Sequence, residues 1–461
     1  MILIRFVGLV GNPITKILIC MSIKQRLTVL SFLQFFVWGA WLTTLGSYGF
    51  GFKSWTGAQF GAVFSTLGLG SLLMPALVGI IADRWMNAEK LYALLHILYG
   101  ITLFILPFID VPYTFFWVLL LGMCFYMPTI SLSNALSYRI LMDNNSGIDV
   151  VKAFPPIRVF GTMGFIAAMW ITNFVSDPES PFAAAKMLGD KIASVTGHAI
   201  NANQFYIAGT FAILLGIYAL FLPKCPPQNK GRASGSLIDN LGLRAFKLLG
   251  SFKMAIFFLF SMFLGAALQL TNMYGDTYLK DFKKIPAYAD SFVVKYSTSI
   301  ISISQISETV FILAIPFFMK RFGIKKVMLI SMFAWVLRFG LFSFGNPEGL
   351  FWMIILSNIV YGMAFDFFNI SGSLFVETST DPEIRSSAQG LFMMMTNGFG
   401  AIMGSVASGW MIDTYYMLPD GSKNWHGIWL VFAIYALIIA IFFAILFKHK
   451  HDRVLMQHVS H

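Results

Sequence analysis

Long runs of apolar residues with few charges inside them recur along the chain, each near the roughly 20 residues an α-helix needs to cross a ~30 Å hydrocarbon core. They fall at about Leu27–Leu45, Phe60–Ile81, Leu91–Ile109, Phe115–Leu136, Ile157–Phe174, Phe205–Leu222, Met254–Met273, Ile300–Met319, Val327–Phe344, Phe351–Phe375, Leu391–Met411 and Ile428–Phe447. The pattern predicts an all-α integral membrane protein with twelve transmembrane helices. Continuous runs of this length do not fit a β-barrel, whose strands alternate over about ten residues.

The polar connections divide the spans into two sets of six. The stretch 223–253 carries Pro226, Pro227, Gly231, Gly235 and several basic residues, and reads as a cytoplasmic linker between an N-terminal half, 21–222, and a C-terminal half, 254–447. A cytoplasmic tail, 448–461, follows. Residues 1–20 form an extension whose apolar patch, Ile2 to Val10, is too short to span and lacks a clear cleavage site. Met21 is a candidate true start, because a short basic lead, Lys24 to Arg26, precedes the first span. Between the fifth and sixth spans, Ser176 to Gln204 mixes charged and small apolar residues, and predicts a short amphipathic helix at the exterior surface.

Composition agrees with lipid as the solvent: 57% of the 461 residues are hydrophobic, 11% are charged and the mean hydropathy is +0.73. The net charge of +11 would suggest a nucleic-acid partner in a soluble protein. Here the basic residues gather in alternate connections: Arg84 and Lys90, then Lys224 to Lys253, then Lys320, Arg321, Lys325 and Lys326. The positive-inside rule accounts for that distribution with both termini in the cytoplasm and without nucleic acid. Cys20, Cys124 and Cys225 lie far apart and the histidines show no ligand spacing, so no disulfide, metal site or cofactor is expected.

Two turns six spans apart are charged. Gly79-Ile-Ile-Ala-Asp83-Arg84 follows the second span and Pro316-Phe-Phe-Met-Lys320-Arg321-Phe-Gly323 follows the eighth. The pair resembles the cytoplasmic loop signature of the major facilitator superfamily, where a small residue lets helices approach and charges latch two pseudo-symmetric six-helix halves. Gly79, Asp83, Arg84, Lys320 and Arg321 are therefore candidate gate residues. An arrangement of two halves rocking about a midplane site is the geometry of alternating access.

Polar side chains within spans are expensive and tend to face a cavity or a partner. In the eighth span Gln305 and Glu308 stand three apart, on one face. In the tenth, Asp366, Asn369 and Ser373 share a face beside an aromatic stripe of Tyr361 and Phe365. An acid packed among Phe365, Phe367 and Phe368 can hold a proton near neutral pH unless a cation lies close; the alternative is a permanent arginine pair. Arg158 and Arg338 are the arginines at issue. Gln269 and Asn272 repeat the three-residue spacing in the seventh span, with carboxamides that suit a neutral, heteroatom-rich solute or else bind helix to helix. Asp276, a turn further on, reads as merely solvated at the outer surface. Gln34, Trp38 and Trp41 share a face of the first span, and Pro155, Pro156 and Arg158 read as the opening of the fifth.

Five strings narrow the reading. They are Ser31 to Ser47, Phe154 to Phe165, Ser304-Gln305-Ile-Ser-Glu308-Thr, Ala364 to Ser373, and Gln389 to Gly400. From about Met21 to Phe447 the chain resembles bacterial nucleoside:proton symporters of the major facilitator superfamily. The resemblance implies a substrate site of Arg158, Thr162 and Phe165 from the first half with Gln269, Asn272, Gln305, Glu308, Tyr361 and Phe365 from the second. It implies Asp366 as a proton-coupling residue, with Glu308 a second candidate. The partners implied are a nucleoside, a proton and membrane lipid, in a monomer of the bacterial inner membrane. A sugar or oligosaccharide:proton symporter would use the same acids and aromatics. A membrane-embedded enzyme would want a clustered nucleophile, metal ligands or an acid–base pair near an interface, and no such cluster is legible.

Overall fold

The computed structural model describes residues 21–143, 150–227, 243–381 and 384–449. The N-terminal extension, the middle of the linker and most of the tail lie outside the described residues. Among the described residues ten helices are long and apolar enough to cross a membrane, and two local features relate them to the twelve expected spans.

The eighth and ninth spans run together as one helix, Ser297–Phe344, broken at Gly323, where φ is 76° and ψ 167°. A straight helix of those 48 residues would run about 72 Å, more than twice a ~30 Å hydrocarbon core. Glycine takes the positive φ without a Cβ clash, and the chain turns there into the next span. The first span starts at a capping box between Ser22 and Gln25 but is helical only over Ile23–Gly39, 17 residues. After a break it resumes and ends in a π-helical turn, Ser47–Phe52. Counting both arms of the long helix and this interrupted one, the twelve expected spans are present.

Other boundaries shift. The fifth span begins at Val150, so Pro155 and Pro156 lie inside it and not at its opening as expected. The eleventh runs from Arg385 to Met411 through a π-helical stretch, Met394–Gly400, and closes on a second, Ile412–Tyr416. The helix expected between the fifth and sixth spans forms over Ala183–Thr196 and stops at Gly197, whose φ of 73° is a left-handed helix end. The Asn203 side chain holds it down by donating to the carbonyls of Val175 and Gly189, both at 3.0 Å.

Each half repeats one packing scheme. Spans one and five meet at Gly39, Gly161 and Gly164, and spans seven and eleven at Gly265, Gly400 and Gly404. Spans two and four meet at Gly70, and spans eight and ten at Gly362. Small residues let backbones approach closely where lipid gives no hydrophobic drive for association. A Cβ at Gly164 would overlap the Phe32 carbonyl oxygen, and one at Gly265 that of Thr396. Gly164→Ala and Gly265→Ala should each cost about 1–3 kcal/mol or more. Gly340→Ala, which meets nothing within 4 Å, should cost little. Thermal unfolding in detergent reads the difference; equal midpoints in all three variants would remove the close-approach argument.

The halves touch at the end of the bundle that carries the 1–2, 5–6, 7–8 and 11–12 connections. Ser47 donates to Asp276 Oδ2 at 2.7 Å, Trp170 Nε1 to Ser302 at 2.8 Å and Lys280 to Asn173 at 3.0 Å. The Asp413 carboxylate accepts from the Gly57 and Ala58 amides at 2.6 and 2.7 Å. At the opposite end, Asp83, Lys320 and Arg321 are exposed, and nothing stands within 4 Å of a Cβ placed on Gly79. Large apolar side chains such as Leu313, Phe317, Trp352 and Ile445 face outward, as lipid contact requires.

Candidate functional site

Two cavities lie between the spans, near the depth at which the first and eleventh depart from regular helix. One is bounded by Thr43, Asn272, Asp276, Gln305, Arg338 and Tyr361 among others. The other is bounded by Trp335, Phe365, Phe368, Asn369, Thr396 and Asn397 among others. Tyr361 and Phe365 connect them as a nearly parallel pair, ring centroids 6.1 Å apart and planes 15° apart. Together they supply amide groups and flat apolar walls, which is what a neutral heterocycle needs.

Charge gathers beside this wall. Arg158 lies within electrostatic reach of both Glu308 and Asp366, and the two acids of each other. No ion pair within 4 Å joins the arginine to either acid among the described residues. Arg158 packs its guanidinium over Phe35, 4.1 Å from the ring centre. Asp366 is 4% exposed, and its Oδ2 has no hydrogen-bond partner among the described residues. The first half adds Phe165, edge-on to Trp38 at 6.2 Å, with Thr162 a turn before it and partly accessible.

Most expected site residues thus converge: Asn272, Gln305 and Tyr361 on the first cavity, Phe365 on the second, and Arg158, Glu308 and Asp366 in the charged cluster. Gln269 bounds neither of these two cavities; it is buried with Oε1 unpartnered. Gln34 is locked into packing. It donates to Thr129 at 3.0 Å and accepts from the Tyr92 hydroxyl, while the Tyr126 hydroxyl donates to its carbonyl at 2.8 Å.

Asp276 departs from its expected role. It is 2% exposed, and its Oδ1 accepts from Ser297 and Thr298 at 2.8 and 2.7 Å. Its Oδ2 pairs with Lys280 at 2.9 Å and with Ser47 of the first half. Four partners replace water, so it ties the halves together. Arg338 does not pair with Asp366. Its donors go to Thr271, Ser304 and the Ser357 carbonyl, at 3.3, 3.2 and 2.8 Å, and its guanidinium lies 4.6 Å from the centre of the Tyr361 ring. Thr43 was not singled out by pattern; it sits in the break of the first span, and the only signal was its place within the string Ser31 to Ser47.

Two helical halves enclosing a site lined by both, and held together at one end, define a membrane solute carrier. The comparisons specify which kind. Residues 21–452 match the model of a family described as nucleoside H+ symporter, and the chain belongs to that family. It is 51% identical over 439 residues to the xanthosine permease of Escherichia coli K12, covering 95% of this chain and 99% of the permease. It is 48% identical over 444 residues to the nucleoside permease NupG of the same organism, covering 96% and 100%. A crystal structure of nucleoside transporter NupG matches with a TM-score of 0.80 at 47% identity, covering 93% of this chain and all of that one. The family is one of transporters, and the enzyme reading falls with it.

Proposed function

We propose that the chain imports nucleosides across the bacterial inner membrane together with protons, by alternating access between its two halves, with both termini in the cytoplasm. Family membership supports the transport reading. The observation that supports the site assignment is that Arg158 of the first half lies within electrostatic reach of Glu308 and Asp366 of the second, beside a cavity of amides and stacked aromatics. A nucleoside is uncharged, so it is held by hydrogen bonds and stacking, and its uphill import draws on a coupled ion. Gln305 and Asn272 grip the solute, Tyr361 and Phe365 cover its flat part, and Glu308 accepts from ribose hydroxyls. Arg158, Thr162 and Phe165 complete the site from the first half. With the predicted orientation, the joined end of the bundle is the periplasmic one, and the opposite end, with Gly79, Asp83, Arg84, Lys320 and Arg321, faces the cytoplasm. The state described is then the inward-open one. Both halves of the site belong to one chain, which supports action as a monomer.

The test is uptake of labelled uridine and adenosine into proteoliposomes, with and without an inward proton gradient. Gradient-stimulated uptake of either is the expected result. Well-folded protein that takes up sugars and neither nucleoside would replace the proposal with a sugar:proton symporter. Within the nucleoside reading, Gln305→Ala and Asn272→Ala should each raise KM about fivefold, the loss of one hydrogen bond of roughly 1 kcal/mol, with kcat little changed. A fall in kcat at constant KM would assign these amides to reorientation instead of binding.

A further inference from the structure

Three buried polar atoms on residues that line the first cavity have no hydrogen-bond partner among the described residues: Arg338 Nη2, Gln305 Oε1 and Thr43 Oγ1. The first is the most costly. Arg338 is fully buried, and taking a guanidinium out of water costs several kcal/mol, which is recovered only when its donors are used. Its remaining donors are used, and they fix the plane of the fork. Nε binds Thr271 of the seventh span, and Nη1 binds Ser304 of the eighth and the Ser357 carbonyl of the tenth. Tyr361 and Phe342 cover its faces at 4.6 and 5.1 Å. No carboxylate pairs with it among the described residues. A rigid cation thus keeps one donor group unspent in a cavity that also holds one unspent acceptor.

Resting on the nucleoside reading, we propose that Arg338 and Gln305 read the nucleobase: a ring carbonyl accepts from Arg338 Nη2 while the adjacent ring N–H donates to Gln305 Oε1. The site then prefers nucleosides whose base carries a lactam edge, as in uracil and hypoxanthine. Register supports this placement. Gln305 and Glu308 stand one helical turn apart, a rise of about 4.5 Å. A carboxylate suits the vicinal hydroxyls of ribose, so sugar at Glu308 leaves the base beside Gln305 and Arg338. The Tyr361 ring, held by the same arginine, supplies a flat wall for it. Thr43, whose hydroxyl serves as donor or acceptor, brings the first half to the same end of the cavity.

Inosine and purine riboside share their sugar and ring system and differ in the lactam edge, so they isolate this contact. Dissociation constants for both are measured on the full chain in detergent, for wild type, Arg338→Gln and Gln305→Leu, with thermal unfolding of each. Wild type is expected to prefer inosine by about tenfold or more, since a site built to bond a polar group rejects the analogue without it. Either variant should bring that ratio near one. Gln305 lies outside the Thr271, Ser304 and Ser357 network, so its variant keeps the test decisive where Arg338→Gln does not fold. Equal wild-type affinities, or a preference that survives in a folded variant, overturn the inference alone. Failure of wild type to bind either nucleoside, with a sugar bound instead, overturns the nucleoside reading on which it stands.

Discussion

Asp366→Asn is expected to abolish accumulation of nucleoside against its gradient while leaving binding and exchange largely intact. Asparagine keeps the shape and one acceptor but cannot take up a proton. In the cluster of Arg158, Glu308 and Asp366, two ionised acids and one arginine carry a net negative charge; one proton makes the set neutral. A neutral cluster crosses the apolar bundle at less cost than a charged one, so protonation licenses reorientation. Under this hypothesis a proton entering down 100 mV contributes about 2.3 kcal/mol, which is ~fifty-fold accumulation. In the Asp366→Asn variant, which lacks the acid, the accumulation ratio should fall to about one under the same imposed potential. Exchange of labelled for unlabelled nucleoside should persist. Glu308→Gln should differ: it loses a charged acceptor for the ribose, so binding weakens along with coupling. Asp366→Asn protein that accumulates nucleoside as wild type does would transfer the coupling role to another group.

Local pattern revealed the spans because each carries its own signal, some 20 apolar residues between polar turns. It also drew together candidate site residues whose neighbours are local: Gln305 with Glu308, and Tyr361 with Phe365 and Asp366. Contacts between distant segments left no such mark. Asp276 reads as a surface acid until Ser47, 229 residues earlier, is seen to donate to it. Arg338 reads equally as half of an ion pair or as a snorkelling side chain until its neutral partners on three other spans are seen. The fifth span starts earlier than its pattern suggests, and helix runs through Pro155 and Pro156 against their local preference. Gly323 could be placed in a turn by sequence, but only its positive φ shows why the turn needs no loop.

Asp413 illustrates the same limit with a larger consequence, because its partners lie 355 and 356 residues away. It sits in the π-helical end of the eleventh span and caps the 28-residue second span of the other half. The first amides of a helix have no partners within it, and the helix dipole adds positive potential there, so a carboxylate is well suited to close them. Gly57 and Gly61 pack on Gly409 and Ser405, so the halves also approach closely at the capped end. The cap has to break when this end opens, and it therefore stabilises the state described over the opposite one. Two charge-assisted bonds near the surface are worth about 2 kcal/mol together, a ~thirty-fold bias. Asp413→Ala should remove that bias, and Asp413→Asn, which keeps one acceptor, should remove about half. Spin labels at exposed Tyr113 of the first half and Trp352 of the second report the separation at this end. A longer distance component, growing from wild type through Asn to Ala, is the expected result. An unchanged distribution would mean that glycine packing alone holds the end shut and that the carboxylate only finishes a helix.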